Sequence, residues 1–117
     1  MANKNRIEVS KIQRLISIEK KYGIDDMNLF AYMPNSKELI IYGEIYGERL
    51  TNSIKMMCSV YDNEGDIIAS GENSSYSSGL VTSYIEPQCF EGIFPFEIQV
   101  NIPNGNKIDK IRIYPIN

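Results

Sequence analysis

The stretch Ile54-Lys55-Met56-Met57-Cys58-Ser59-Val60-Tyr61-Asp62-Asn63-Glu64-Gly65 decides how this chain is read. Ile54, Met56, Cys58 and Val60 fall on one side of a period-2 alternation and Lys55, Met57, Ser59 and Tyr61 on the other. That pattern predicts a central strand with one face in a core. Asp62-Asn63-Glu64-Gly65 then turns the chain and Asp66-Ile67-Ile68-Ala69 returns it as a β-hairpin. Gly65 is placed to take a positive φ, and Asp62 to brace the turn by accepting from nearby backbone N–H groups.

Working outward, residues 27–33 alternate and end at Pro34-Asn35-Ser36, and residues 38–46 place Leu39, Ile41 and Ile45 on one side with Gly43 among them. A glycine inside a strand marks a bulge or the close approach of a neighbouring backbone. The cleanest alternation is Phe96, Ile98, Val100 and Ile102 against Glu97, Gln99 and Asn101, followed by a turn at Pro103-Asn104-Gly105-Asn106 and a returning strand over 107–114. Residues 80–85 carry a weaker strand pattern, and the Ser-rich run 70–78 reads as a loop or edge hairpin. Residues 10–22 mix helical and alternating spacing. A short helix is favoured there, with Ser10 as its N-cap and Gly23 as its stop, while the Ile and Ser density of 15–19 also suits a strand.

The result is an all-β expectation: an immunoglobulin-like antiparallel β-sandwich of about seven strands, with one short N-terminal helix as an option. At 117 residues, with 43% hydrophobic and 23% charged residues, one domain over 1–117 with one core is expected. Residues 1–36 form an N-terminal extension and first strand, and 37–117 the sandwich body.

Much chemistry is excluded by what the composition lacks. There is no histidine, so the Ser-His-Asp and Cys-His arrangements and the commonest zinc ligand are missing together. Cys58 and Cys89 are isolated, so neither a four-sulfur metal site nor an activated thiolate is expected. The acidic turn Asp62, Asn63, Glu64, Asp66 lacks the spacing of a calcium loop and reads as a hairpin turn. No metal, cofactor or enzymatic activity is expected. A net charge of -3 argues against nucleic acid, and the basic residues Lys4, Arg6, Lys11, Arg14, Lys20 and Lys21 read as a solvated face. No signal peptide or membrane-spanning run is visible, so the chain as it stands reads as cytoplasmic, or as extracytoplasmic once a leader or anchor is removed.

The tyrosines carry the candidate site. Tyr42 and Tyr46 have outward parity in one strand and Tyr61 in the next, so pairing of those strands would gather three rings and Met57 on one sheet face. Exposed aromatic patches mark partner or ligand surfaces. The alternative, and the favoured one, is that this face is covered by the N-terminal segment, whose Ile12, Leu15 and Ile16 need a place to pack.

Ile41, Gly43, Ile45, then Val60-Tyr61-Asp62-Asn63-Glu64-Gly65-Asp66-Ile67-Ile68, then Ile85-Glu86-Pro87, Phe90-Glu91-Gly92 and Pro95-Phe96-Glu97-Ile98 resemble the bacterial FxLYD-type domains. Cys58-Ser59-Val60-Tyr61-Asp62 stands where that family has Phe-x-Leu-Tyr-Asp. The resemblance implies a small immunoglobulin-like accessory module with no catalytic residues to carry over, and it implies no ligand. Function is accordingly expected to be non-catalytic: a binding or assembly module for a protein partner or for itself. The alternative is a carbohydrate-binding module using surface tyrosines.

Overall fold

The computed structural model describes residues 6–77, 80–82, 85–87, 92–103 and 107–117. A turn of 3-10 helix at Val9–Lys11 leads into β1 (Ile12–Arg14) and α1 (Ile16–Lys21). Then come β2 (Asp26–Asn35), β3 (Glu38–Tyr46), β4 (Lys55–Tyr61), β5 (Ile67–Ser77), β6 (Leu80–Thr82), β7 (Ile93–Asn101) and β8 (Lys110–Ile116). Among the described residues the named elements are all strands apart from α1 and the 3-10 turn at Val9–Lys11. Cys89 and the turn residues 104–106 lie outside the described residues.

The alternation over 54–61 is realised in β4, whose Met56, Cys58 and Val60 are fully buried while Lys55, Met57 and Tyr61 are only half-buried. The turn that follows is built as its residues dictate. Asp62 Oδ1 accepts from the N–H of Glu64 at 2.9 Å and of Asp66 at 3.0 Å, and Gly65 has φ +85°. No atom approaches the position a Gly65 side chain would occupy, so the requirement is one of backbone conformation alone. Gly65→Ala is expected to lose about 1 kcal/mol in urea denaturation, and Gly65→Asn clearly less, because asparagine tolerates the left-handed region.

Seven strands follow one another in the order β1-β8-β4-β5-β7-β3-β2, with β6 paired onto the far end of β5. All these strands thus belong to one curled mixed sheet, and β5 is the reason. Its first part pairs with β4, from Tyr61↔Ile67 to Met57↔Glu72. Asn73 and Ser74 then pair with β7, and Ser75 to Ser77 with β6. The run over 70–78, expected as a loop or edge hairpin, is strand to Ser77 and forms a hairpin with β6, while its earlier residues pair with β4 and β7. Asn73 sits at the crossover, buried, with its Oδ1 accepting from Met56 N–H at 2.6 Å and its Nδ2 without a partner.

Curling brings the inner faces of the two halves together. Leu39, Ile41 and Ile45 from β3 and Phe96, Ile98 and Val100 from β7 meet Met56, Cys58 and Val60 from β4 and Ile111 and Ile113 from β8 in one apolar cluster. Cys58 lies inside it, and burial pushes its thiol up to about 12, so it packs as a small hydrophobe. Gly43 has a packing role: a Cβ there would lie 2.3 Å from the Phe96 ring and 2.9 Å from Leu29 Cδ2. The missing side chain leaves the space that Phe96, its cross-strand neighbour, fills.

The N-terminal segment takes an unexpected path. Arg6 bridges Tyr32 and Ile7 N–H donates to Ala31 O at 2.8 Å, at the outer edge of β2. Five to seven residues after Ile7, β1 lies along β8, in parallel, at the other end of the sheet. The segment thus straps the two open edges together, and the parallel β1–β8 pair makes the sheet mixed. Exposed strand edges are templates for unwanted pairing, and this strap blunts both.

The expected helix exists but is shorter than 10–22, and Ser10 belongs to the 3-10 turn instead of capping it. Its end is as read: Gly23 has φ +89°, Gly23 N–H donates to Lys20 O and Ile24 N–H to Glu19 O, the paired bonds of a Schellman stop.

Arg14 fastens the strap. Its Nε and Nη2 reach the two carboxylate oxygens of Glu19 at 3.0 and 2.5 Å, and its Nη1 reaches Asp26 Oδ1 at 3.1 Å and Met27 O at 3.3 Å. One guanidinium thereby joins β1, α1 and β2, and Glu19 is only 1% exposed. The Met27 N–H, and then Arg14, hold the Asp26 carboxyl below its ordinary value. Its stabilising contribution is therefore present above the unfolded-state value of about pH 4 and is lost as pH falls through the lower folded value. Asp26→Asn should be slightly less stable than wild type at neutral pH, with the two melting-temperature profiles converging in acid.

Candidate functional site

The expected constellation of Tyr42, Tyr46, Met57 and Tyr61 does not form. β3 pairs with β2 and β7, not with β4, so Tyr42 and Tyr46 lie on the outer face of one half and Met57 and Tyr61 on the outer face of the other. Both halves turn their inner faces to the shared core, so these two outer faces look in opposite directions.

A different aromatic group gathers around Tyr42. In β2, Met27, Leu29, Ala31 and Met33 take the inner parity, which leaves Asn28, Phe30 and Tyr32 on the outer side. Phe30 is the register partner of Tyr42. Phe30 and Tyr32 stack with centroids 5.6 Å apart and planes at 26°, and Tyr32 and Tyr42 with centroids 6.2 Å apart and planes at 17°. The Arg6 guanidinium caps the far side of Phe30, 4.8 Å from its centroid.

Ile12, Leu15 and Ile16 do not cover this face, contrary to expectation: among the described residues of the N-terminal segment Arg6 is the one seen against its rings, and Phe30 and Tyr42 are 38% and 44% exposed. Ile12 packs on the core from β1, and Ile16 points to solvent. Ile7 also packs against the core.

Carboxylates frame the rings. Tyr46 is half-buried, and its hydroxyl donates to Glu44 Oε1 at 2.6 Å, a bond that raises the Tyr46 pKa. The negative charge of Glu97, with Tyr32 next, raises that of Tyr42. Glu97 itself accepts from Gln99 Nε2 at 2.6 Å. Between Phe30, Tyr42 and Glu44 and the ring of Pro95 lies a shallow groove of about 290 Å³ with the backbone at Gly43 near its base.

On the opposite face Tyr61 is flanked by cations: Lys110 Nζ lies 4.9 Å and Arg112 Cζ 5.3 Å from its ring centroid. Arg112 also donates to Gln13 Oε1 of β1 at 3.2 Å. Met57 is half-buried beside Tyr114, its register partner. At the end of this half the carboxylates of Asp62, Glu64 and Asp66 lie within 4.8 Å of one another, with Lys11 and Lys107 lining the same groove. Asp62 is occupied there in holding the turn.

Sequence reasoning missed Phe30, Tyr32 and Glu97. Parity could have found the two rings, because β2 has only one apolar face and these sit on the other. The Arg6 contact had no such signal, since it depends on the strap.

The fold and site together define an all-β domain with one curled mixed sheet and an exposed aromatic face. No family model matches the chain, and no curated protein or solved structure matches it either. Among the described residues no helix is long and apolar enough to cross a membrane.

Proposed function

We propose that this chain is a non-catalytic binding module that engages a protein partner through the outer face of β2, β3 and β7. The mutual stacking of Phe30, Tyr32 and Tyr42 carries this reading. Rings stacked on each other in a row offer their edges and hydroxyls to an approaching surface, and large aromatics with polar tips are what protein interfaces concentrate. A sugar-binding platform uses free ring faces, and here Arg6 and the neighbouring rings occupy both faces of Phe30 and Tyr32, leaving one face of Tyr42. The absence of histidine and the inert Cys58 thiol support a non-catalytic role. The immunoglobulin-like, FxLYD-type reading is supported by strand order: β2-β3-β7 and β5-β4-β8 follow the A-B-E and C′-C-F successions of such domains.

The test is photo-crosslinking in source cells, with a benzophenone amino acid at position 42 and, as a control, at the exposed Ile16 on α1. A discrete protein adduct from position 42 and none from 16 is expected. A glycan-array signal that disappears in Tyr42→Ala and in Phe30→Ala, with no protein adduct, would transfer the site to the carbohydrate reading.

A further inference from the structure

The two outer faces of the curled sheet differ in charge as well as direction. Among the described residues, the β2-β3-β7 face presents Glu38, Glu44 and Glu97 around its rings, with Arg6 stacked at one end. The β4-β8 face presents Lys110 and Arg112 against Tyr61, with Glu72 on β5 paired to Lys55 at 3.4 Å and the carboxylates of Asp62, Glu64 and Asp66 gathered at one end of that half. The charge around the rings is thus acidic on one face, apart from Arg6, and basic at Tyr61 on the other. The acidic face moreover already holds one arginine against an aromatic ring, Arg6 on Phe30, which is the contact that Arg112 of another molecule could repeat at Tyr42.

We propose that the partner is a second copy of this chain, with the Tyr61, Lys110, Arg112 face of one copy docking on the Tyr42, Glu44, Glu97 face of the next. The proposal rests on the reading of the aromatic face as a contact surface and names its occupant. Complementary potentials steer encounter and fix register, and cations on aromatic rings add attraction once water is displaced. Because the two surfaces are different and lie on opposite sides of the molecule, the contact is heterologous. It repeats from copy to copy and builds a ring or a filament instead of stopping at a symmetric dimer.

Charge reversal tests this. Sedimentation velocity and light scattering on the full chain should give a mass that climbs above 13.4 kDa with concentration. The climb should be suppressed when ionic strength rises from about 0.1 to about 1 M, which shortens the screening length from about 10 to about 3 Å. Glu44→Lys with Glu97→Lys, and separately Lys110→Glu with Arg112→Glu, should each weaken association at least ~30-fold, since like charges then face each other. An equimolar mixture of the two variants should associate again, because each supplies the charge the other lost. Misfolding cannot produce that rescue; should either double variant fail to fold by circular dichroism, the single pair Glu97→Lys and Lys110→Glu gives the same reading.

A wild-type chain that stays at monomer mass at millimolar concentration overturns the proposal. So does a folded mixture that fails to reassociate, or an assembly that ends at two copies. If the chain is monomeric and position 42 still crosslinks to a different protein, self-docking fails while the contact face stands.

Discussion

Arg14→Met is expected to destabilise the fold by about 3 kcal/mol, the range found when a buried charge loses its only strong partner. The effect is large because of Glu19, which is 1% exposed and has both carboxylate oxygens on the Arg14 guanidinium. Removing the arginine leaves that carboxylate buried without a cation, and it also cuts the strap's tie to Asp26 and Met27 O on β2. For a chain of 117 residues this corresponds to a fall of roughly 10 °C or more in melting temperature. Arg14→Met combined with Glu19→Leu should recover most of the loss, since an apolar pair of similar volume needs no compensating charge. A double variant as unstable as the single one would show that the guanidinium acts through the strap alone. Chemical denaturation of both variants, with the slope checked for a change in the surface exposed, separates the outcomes.

The second large effect is expected at Gly43. Gly43→Ala should cost about 2–3 kcal/mol, because its Cβ would lie 2.3 Å from the Phe96 ring and 2.9 Å from Leu29, in a core too dense to yield without strain. Phe96→Ala should cost about 3–5 kcal/mol by opening a cavity at the centre of the sheet. The two changes should not add: in the Phe96→Ala background the alanine at 43 enters vacated space, so its own cost should fall toward zero or change sign. Additive losses would mean that the β3 backbone moves to relieve the clash, and that the ring is not what excludes a side chain there. Since Gly43 also lies near the base of the outer groove, a shift of β3 would be visible as altered Tyr42 ring contacts by NMR.

Much of this molecule was legible one strand at a time. Met56, Cys58 and Val60 are buried as their parity requires, the Asp62 to Gly65 turn is braced and twisted as its residue types require, and Phe96, Ile98 and Val100 face the core. Each of these follows from local physics: the two-residue repeat of a strand decides sides, and an aspartate followed by a glycine decides a turn. The helix at 16–21 was half legible, through its Gly23 stop, whereas its start was not, because Leu15 makes no side-chain cap.

The candidate site was legible only in part, for the same physical reason. Parity correctly sent Tyr42, Tyr46 and Tyr61 outward, but a period of two residues carries no information about which strand lies alongside. That choice belongs to burial summed over the whole chain: β3 satisfies its inner face between β2 and β7, and β4 satisfies its own between β5 and β8. The sequence by itself therefore determined an all-β chain, much of its inward and outward parity and the turn at Asp62 to Gly65. Tertiary structure alone decided that β5 would join the two halves into one sheet, that a basic N-terminal strap would close its edges, and that Tyr42 would meet Phe30 and Tyr32 while Tyr61 met Lys110 and Arg112. Those are contacts between residues distant along the chain, and they exist only because curling the sheet around a single core leaves each half one outer face and no choice of neighbours.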